Sequence, residues 1–187
     1  MRIVKFNYRE IVDEVIENMD LKNKCCLDAT VGRGHDSLKI ISKLGEKGTL
    51  YGYDIQEEAI RDTKKLLLDN GYDNFKLFNK CHSELEEDIT SQLELIIFNL
   101  GYLPKSDKKI TTLRESTVKA IEKSLNLLSK SGVLIIVSYL GHENSLEERN
   151  GVEEYLKNLN QKLFLVEKRE FFNQKNNPPI VYLIGRR

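Results

Sequence analysis

Cysteine is scarce in this 187-residue chain, proline equally so, and charge of either sign shows no excess. The three cysteines are an odd number, and two of them, Cys25 and Cys26, are adjacent. In a strand such neighbours point to opposite faces, so they cannot form a metal knuckle, and Cys81 stands alone. Small buried hydrophobes in a reducing, cytoplasmic compartment is the reading they favour. No cysteine or histidine cluster has the spacing of metal ligands, so no metal is expected. No apolar run is long enough to span a bilayer, and Met1 to Asn7 lacks the apolar stretch of a signal peptide. Lys and Arg total 29, Asp and Glu total 29. Zero net charge argues against blanket affinity for nucleic acid and leaves a local basic patch open. The chain also lacks Gly-Lys-Ser/Thr, which excludes a P-loop. Linkers, repeats and low-complexity segments are missing, so a single domain over residues 1–187 is expected.

What is present is a periodic alternation of elements. Arg9 to Met19 carries Ile11, Val12, Val15 and Ile16 on one helical face. Short apolar strands are expected at Lys24–Leu27, Thr49–Asp54, Asn74–Phe78, Leu93–Asn99 and Gly132–Val137. Helices are expected at Ser37–Leu44, Glu57–Asn70, Thr112–Leu128 and around Val152–Leu159. Phe164–Arg169 and Ile180–Ile184 follow one another with no helix between, so they should pair antiparallel. This order predicts an α/β fold: a mostly parallel sheet, helices on both faces, and a terminal hairpin.

Two strand ends carry the chemistry. Leu27-Asp28-Ala29-Thr30-Val31-Gly32-Arg33-Gly34-His35-Asp36-Ser37 lies between the first strand and its helix. Glycine there permits positive φ and lets a ligand lie against bare main chain. The helix start behind it offers N–H groups and a positive dipole end. Asp54 ends the next strand, about twenty residues past the glycines, where nucleotide-binding sheets place the acid that takes ribose hydroxyls. The third glycine of a dinucleotide fingerprint is absent, because Ser37 stands there. A plain strand–helix turn, with glycines for packing and an exposed Asp, is the alternative. The other end is Phe98-Asn99-Leu100-Gly101-Tyr102-Leu103-Pro104-Lys105. Asn at the end of a central strand needs a partner, and a capped turn closed by Pro104 is its bland reading.

Asp-x-Thr-x-Gly-x-Gly resembles motif I of class I S-adenosylmethionine-dependent methyltransferases, whose fold is Rossmann-like with seven strands. The resemblance implies S-adenosylmethionine (SAM) as cofactor. The groups that would meet it are Asp28, Thr30, Gly32, Gly34, His35, Asp36, Ser37, Asp54, Ile55, Gln56, His82, Ser83 and Asn99. The second stretch resembles the Asn-Pro-Pro-Tyr motif of amino-group methyltransferases, with Leu100 and Gly101 in place of the prolines. Asn99 and the carbonyl of Leu100 would then accept hydrogen bonds from the target amine, with Tyr102 packed beside it.

The string Asn-Leu-Gly-Tyr-Leu-Pro is more specific. With Asp28-Ala29-Thr30, Asp54-Ile55-Gln56, His82, Asp107-Lys108, Tyr139-Leu140-Gly141-His142 and Phe172-Asn173-Gln174, it is similar to the MnmM, or YtqB-like, family. That is a small bacterial family once described as rRNA methylases and now as tRNA 5-aminomethyl-2-thiouridine methyltransferases. Ser106 and Ser145 depart from its usual glycines.

The resemblance implies methylation of an aminomethyl group on the wobble uridine, in the anticodon region of tRNA. Tyr102, Pro104, Lys105, Lys108, Tyr139, His142, Asn173, Gln174 and Asn176 would contact that substrate, and His142 could take a proton. Lys105, Lys108, Lys109, Arg114 and Lys175 are expected in loops at the same sheet end, where they could meet phosphates. A structural histidine at position 142, a capping histidine at position 82, turn-forming loop amides and a solvated lysine face are the competing readings. Methylation of rRNA or a small amine, and nucleotide binding without transfer, stay open as functions. Oligomeric state is not fixed, and a homodimer is compatible with the sequence.

Overall fold

The structure, a computed structural model, describes residues 4–101, 114–140 and 145–187. A seven-stranded sheet runs through it. The strands are β1 (Cys25–Asp28), β2 (Thr49–Tyr53), β3 (Phe75–Phe78), β4 (Leu93–Leu100), β5 (Leu128–Ser138), β6 (Phe164–Arg169) and β7 (Ile180–Arg186). Their order across the sheet is β3-β2-β1-β4-β5-β7-β6. The first five pair in parallel, while β7 runs antiparallel to both β5 and β6. The alternation expected from sequence is therefore present, antiparallel hairpin included.

Helices α1 (Tyr8–Asn18), α2 (His35–Leu44) and α3 (Glu57–Asp69) cover one face, and α4 (Arg114–Leu127) and α5 (Ser145–Lys157) the other. Strand alternation sorts the core into two layers. Cys26, Leu95, Ile97, Ile135 and Val137 pack with Ile11, Ile16, Ile40, Ile41 and Leu67. Leu27, Ile96, Phe98, Leu134 and Ile136 pack with Ala120, Ile121, Leu125, Val152 and Leu156. Each such fully buried aliphatic side chain contributes about 1.5–3 kcal/mol. The cysteines follow the same alternation: Cys26 lies in the first layer, half-buried Cys25 packs against the second, and all three are free thiols.

Local chemistry sets the boundaries. Asn7 caps α1 by accepting from the Glu10 N–H at 3.2 Å, and Glu10 accepts the Phe6 N–H in return, so the helix starts one residue before the periodicity does. Its far end is closed from outside: the Lys43 ammonium of α2 donates to the carbonyls of Ile16, Glu17 and Met19. Strand β5 begins four residues earlier than the apolar run suggests. Leu93 pairs with Leu128 and Leu95 with Val133, so β5 advances five residues where β4 advances two. At Gly132 a side chain would lie 2.9 Å from the Leu93 carbonyl, so the bulge requires glycine. A short 3-10 helix, His82–Glu87, follows β3 and has no counterpart in the apolar pattern.

Candidate active site

The carboxyl ends of β1, β2, β4 and β5 converge on the turn before α2. That turn is fastened from several sides. Asp28, at 1% exposure, accepts the Thr30 N–H at 3.2 Å and the Ser37 hydroxyl at 2.6 Å. Asp54 accepts the Gly32 N–H at 3.0 Å. Thr63 of α3 donates to the Gly32 carbonyl at 3.2 Å. Both Gly32 and Gly34 have positive φ, 52° and 77°. At Gly34 a Cβ would also meet the Thr63 hydroxyl at 2.9 Å, so this glycine serves helix packing as well as the turn. Asp28 and Ser37, the latter fully buried, lie beneath the turn. They brace it and have no surface to offer a cofactor, which corrects the direct contact expected of them. Burial, then the charge of Asp36, pushes the Asp28 carboxyl up to about 7.

Asp54 is placed differently. It is half-buried, and its two oxygens accept one backbone N–H each, from Gly32 and Gln56, both at 3.0 Å. The Ile55 N–H also contributes, and a carboxylate offers about four acceptor positions, so acceptor capacity is left over. Burial raises its pKa, and the backbone donors oppose that shift. Beside it the Ile55 side chain is 52% exposed. His82 lies at the far side of the turn, 7% exposed, with Nδ1 3.2 Å from the Ala29 carbonyl and its ring edge-on to Phe98. Burial lowers its pKa to about 4, so the ring is neutral at pH 7. Nδ1 must carry the proton, since it faces a carbonyl oxygen. Nε2 is then a buried acceptor without a partner among the described residues. Ser83 donates to the Cys81 sulfur at 3.1 Å, and His35 is exposed at the start of α2. The N-cap position of α2 is Gly34, and among the described residues no side chain caps the helix. An acid with spare acceptors, an exposed aliphatic surface beside it, an orphaned buried acceptor and an uncapped helix start fit an adenosine-bearing cofactor.

Asn99, near the end of β4, is tied to this turn twice. Its backbone N–H donates to the Thr30 hydroxyl oxygen at 2.7 Å, and its side-chain Nδ2 donates to Asp36 Oδ2 at 3.0 Å. The amide NH2 is thus turned to Asp36, and Oδ1 is its other end. Half of the acceptor capacity of the Leu100 carbonyl is already committed. The residue is fully buried, and its carbonyl accepts the Tyr139 N–H at 3.3 Å through the β4–β5 pairing. Tyr139 packs edge-on against Tyr8 of α1, with ring centroids 5.3 Å apart. Burial and the bond to Tyr8 raise the pKa of its hydroxyl.

The remaining expected substrate residues divide. Tyr102, Pro104, Lys105, Lys108 and His142 lie outside the described residues. Asn173, Gln174 and Asn176 are exposed in the β6–β7 connection, where Gln174 Nε2 donates to the Phe6 carbonyl at 3.4 Å. Asn176 and Asn177 have positive φ, 69° and 50°, so turn formation is one part of their role. Arg114 is no free phosphate donor: it pairs with Glu154 at 3.1 Å and lies over Gly151.

Sequence reasoning missed Tyr8 and Arg149. Tyr8 reads as an ordinary helix residue. Arg149 sits in a charged stretch of α5, yet it is 8% exposed and donates to the Ser138 carbonyl and hydroxyl at the end of β5. Nothing in a single sequence separates such an arginine from a solvated one. Among the described residues no group of three or more His, Cys, Asp or Glu is placed to hold a metal ion. Nor is any helix there long and apolar enough to cross a membrane.

Comparison with known proteins agrees with this geometry. Residues 50–185 match the family model described as "Putative rRNA methylase". A chloroplastic tRNA (mnm(5)s(2)U34)-methyltransferase of Arabidopsis thaliana is 32% identical over 189 residues, covering 95% of this chain and 69% of that protein. A crystal structure of an rRNA-methylase from Clostridium thermocellum superposes with a TM-score of 0.95 at 35% identity, covering 98% of this chain and 100% of the other. A Streptococcus mutans methyltransferase crystallised with SAH has a TM-score of 0.89 at 29% identity, covering 98% and 99%. With the sheet order, the braced glycine turn and the acid after β2 already in place, these matches make the chain a member of the rRNA methylase family, with the fold of class I methyltransferases.

Proposed function

We propose that this protein transfers a methyl group from SAM to an amino nitrogen, and that the nitrogen is the 5-aminomethyl group of a tRNA wobble uridine. The observation that carries this reading is the orientation of Asn99. With Nδ2 given to Asp36, Oδ1 is left to accept an N–H from an incoming amine. When bound, SAM supplies an electrophilic methyl on a sulfonium. Asp54 would hold the ribose diol, Ile55 would cover the adenine, and the α2 start would face the carboxylate of the methionine part.

The acceptor poses a protonation problem. A primary alkylamine resembling lysine has a pKa of about 10.4 and is mostly cationic at neutral pH. Its lone pair is then unavailable. A sulfonium nearby disfavours a second cation and lowers the amine's pKa. Asn99 Oδ1 accepts from the neutral amine and aims its lone pair, so the contribution is orientation rather than covalent catalysis. His142 or water takes the residual proton.

The choice of tRNA rests on the Arabidopsis relative, whose name specifies position 34 of tRNA. Exposed Asn173, Gln174, Lys175 and Asn176 lie at the same sheet end as Asn99; together with Lys105 and Lys108, which follow β4 in sequence, they would contact the anticodon loop and its phosphates. Cytoplasm is the compartment we propose. The family's description favours rRNA as a second reading.

Single-turnover methylation with tritiated SAM tests both. Total RNA from a strain lacking the gene is the substrate, followed by nucleoside mass spectrometry. Label on 5-methylaminomethyluridine of tRNA supports the first reading. Label on rRNA supports the second, and label on a carbon or a ribose oxygen removes the amine acceptor altogether.

A further inference from the structure

We propose that Asp36 is a positioning residue for the acceptor nitrogen: its carboxylate selects the amide orientation in which Asn99 shows the substrate an oxygen. This rests on the Asn99 reading above and adds a second residue to it. Asp36 is the second residue of α2, half-buried, with Oδ2 3.0 Å from Asn99 Nδ2. An amide has two unlike ends of nearly equal shape, and an ionised carboxylate can only accept. The flipped amide would set oxygen against oxygen. The main chain cannot swing to relieve that, because the Asn99 N–H is held by Thr30 at 2.7 Å.

The orientation decides the substrate class. An amide oxygen suits an atom bearing N–H, as an amine does. An amide NH2 would suit an atom with no proton to give, such as an unprotonated ring nitrogen or a carbonyl oxygen. Asp36 sits where it can impose this choice: its charge acts on Asp28, on Tyr139 and on Arg9. The same carboxylate disfavours an anionic approach. Asp36 therefore belongs with the acceptor, although it lies in the turn that sequence assigns to the cofactor.

A double-mutant cycle on methylation of tRNA bearing aminomethyluridine tests this. Asp36→Asn keeps the shape but lets either end of residue 36 meet Asn99. It should lower kcat about tenfold or more while the Kd for SAM, measured by calorimetry, changes less than about twofold. In an Asn99→Ala background the same substitution should change little. The side-chain amide of Asn99, assigned by its loss in Asn99→Ala, should show one strongly downfield proton in the wild type that returns to the ordinary range in Asp36→Asn.

Weakened SAM binding as the main effect, a fully multiplicative effect in the Asn99→Ala background, or an unchanged amide spectrum would each overturn the positioning role. Undiminished turnover in Asn99→Ala alone would instead remove the Asn99 reading. The two failures are thereby distinct.

Discussion

The turn after β1 and the end of β4 face each other at the same edge of the sheet, yet they are held in different ways. The first is fastened by groups beneath and around it: Asp28 and Ser37 below, Asp54 and Thr63 beside. The second leans on its neighbour as well as on β5, because the Asn99 N–H and side chain bond to Thr30 and Asp36 beside that turn. A cofactor site with its own bracing would thus double as the jig for the proposed acceptor site. Damage to Asn99 or to its partner Asp36 should spare the cofactor, whereas damage to the groups that brace the turn should reach both.

The largest effect should come from the dependent side. Asn99→Ala removes the oxygen that aims the amine, and groups of this kind carry about 10²–10³ in rate. Its kcat should fall by that order while SAM affinity holds within about twofold; calorimetry beside single-turnover rates reads both. Equal losses in the two would erase the distinction between the regions.

His82 sharpens it from the other side, since its ring anchors to Ala29 in the turn. Its pKa is lowered to about 4 by burial. The unfolded chain binds the proton from about pH 6.5 downwards, and the folded one only near 4. The His82 contribution is therefore full above 6.5 and is lost as pH falls towards 4, by about 3 kcal/mol in all. Asp28, held up to about 7, takes up its proton in the folded state over the same range and contributes the opposite slope, so the His82 share is read by difference: in urea unfolding between pH 7.5 and 4.5, His82→Gln should gain stability relative to the wild type as pH falls. Parallel curves would mean that the ring is not the group responsible.

Asp54→Ala comes next. A charge-assisted bond to a ribose hydroxyl is worth about 1.5–3 kcal/mol, so SAM should bind about tenfold weaker or worse. Because Asp54 also holds Gly32, turnover with saturating SAM should drop too, unlike the clean split at Asn99. Wild-type affinity in the variant would remove the ribose role.

The smallest effect belongs to exposed Lys175. Its loss should reduce the salt slope of tRNA binding by about one contact without changing turnover at saturation. A slope unchanged in filter-binding titrations would place the phosphates elsewhere.

Much of the cofactor side was legible because its signals are local. Glycines, an acid at a strand end and apolar periodicity all lie within short windows, and the structure brings them together. The failures were of reach. That the Leu100 carbonyl already serves the Tyr139 N–H could not be read, because that bond is set by sheet register between distant segments. Arg114 was read as a phosphate donor, although its stem lies over Gly151, a contact between α4 and α5 that no spacing reveals. Asp28 carries the same side chain as Asp54, and only burial separates a brace from a ligand group. Asp36 was assigned by its neighbours in sequence, while its carboxylate is bonded to a residue 63 positions away.

The order of strands also constrains how the chain acquires its shape. Strand β7 lies between β5 and β6, although it follows both in sequence. Strand β6 has no other neighbour, so it must wait unpaired until β7 arrives, with Leu163 and Leu165 exposed. Such a wait is a window for faulty pairing with another chain. Arg169 at one end of β6 and Lys168 beside it place charge on that edge, which discourages strangers during the interval. Amide protons of β6 should then exchange no more slowly than those of β7, since opening β7 frees β6 as well.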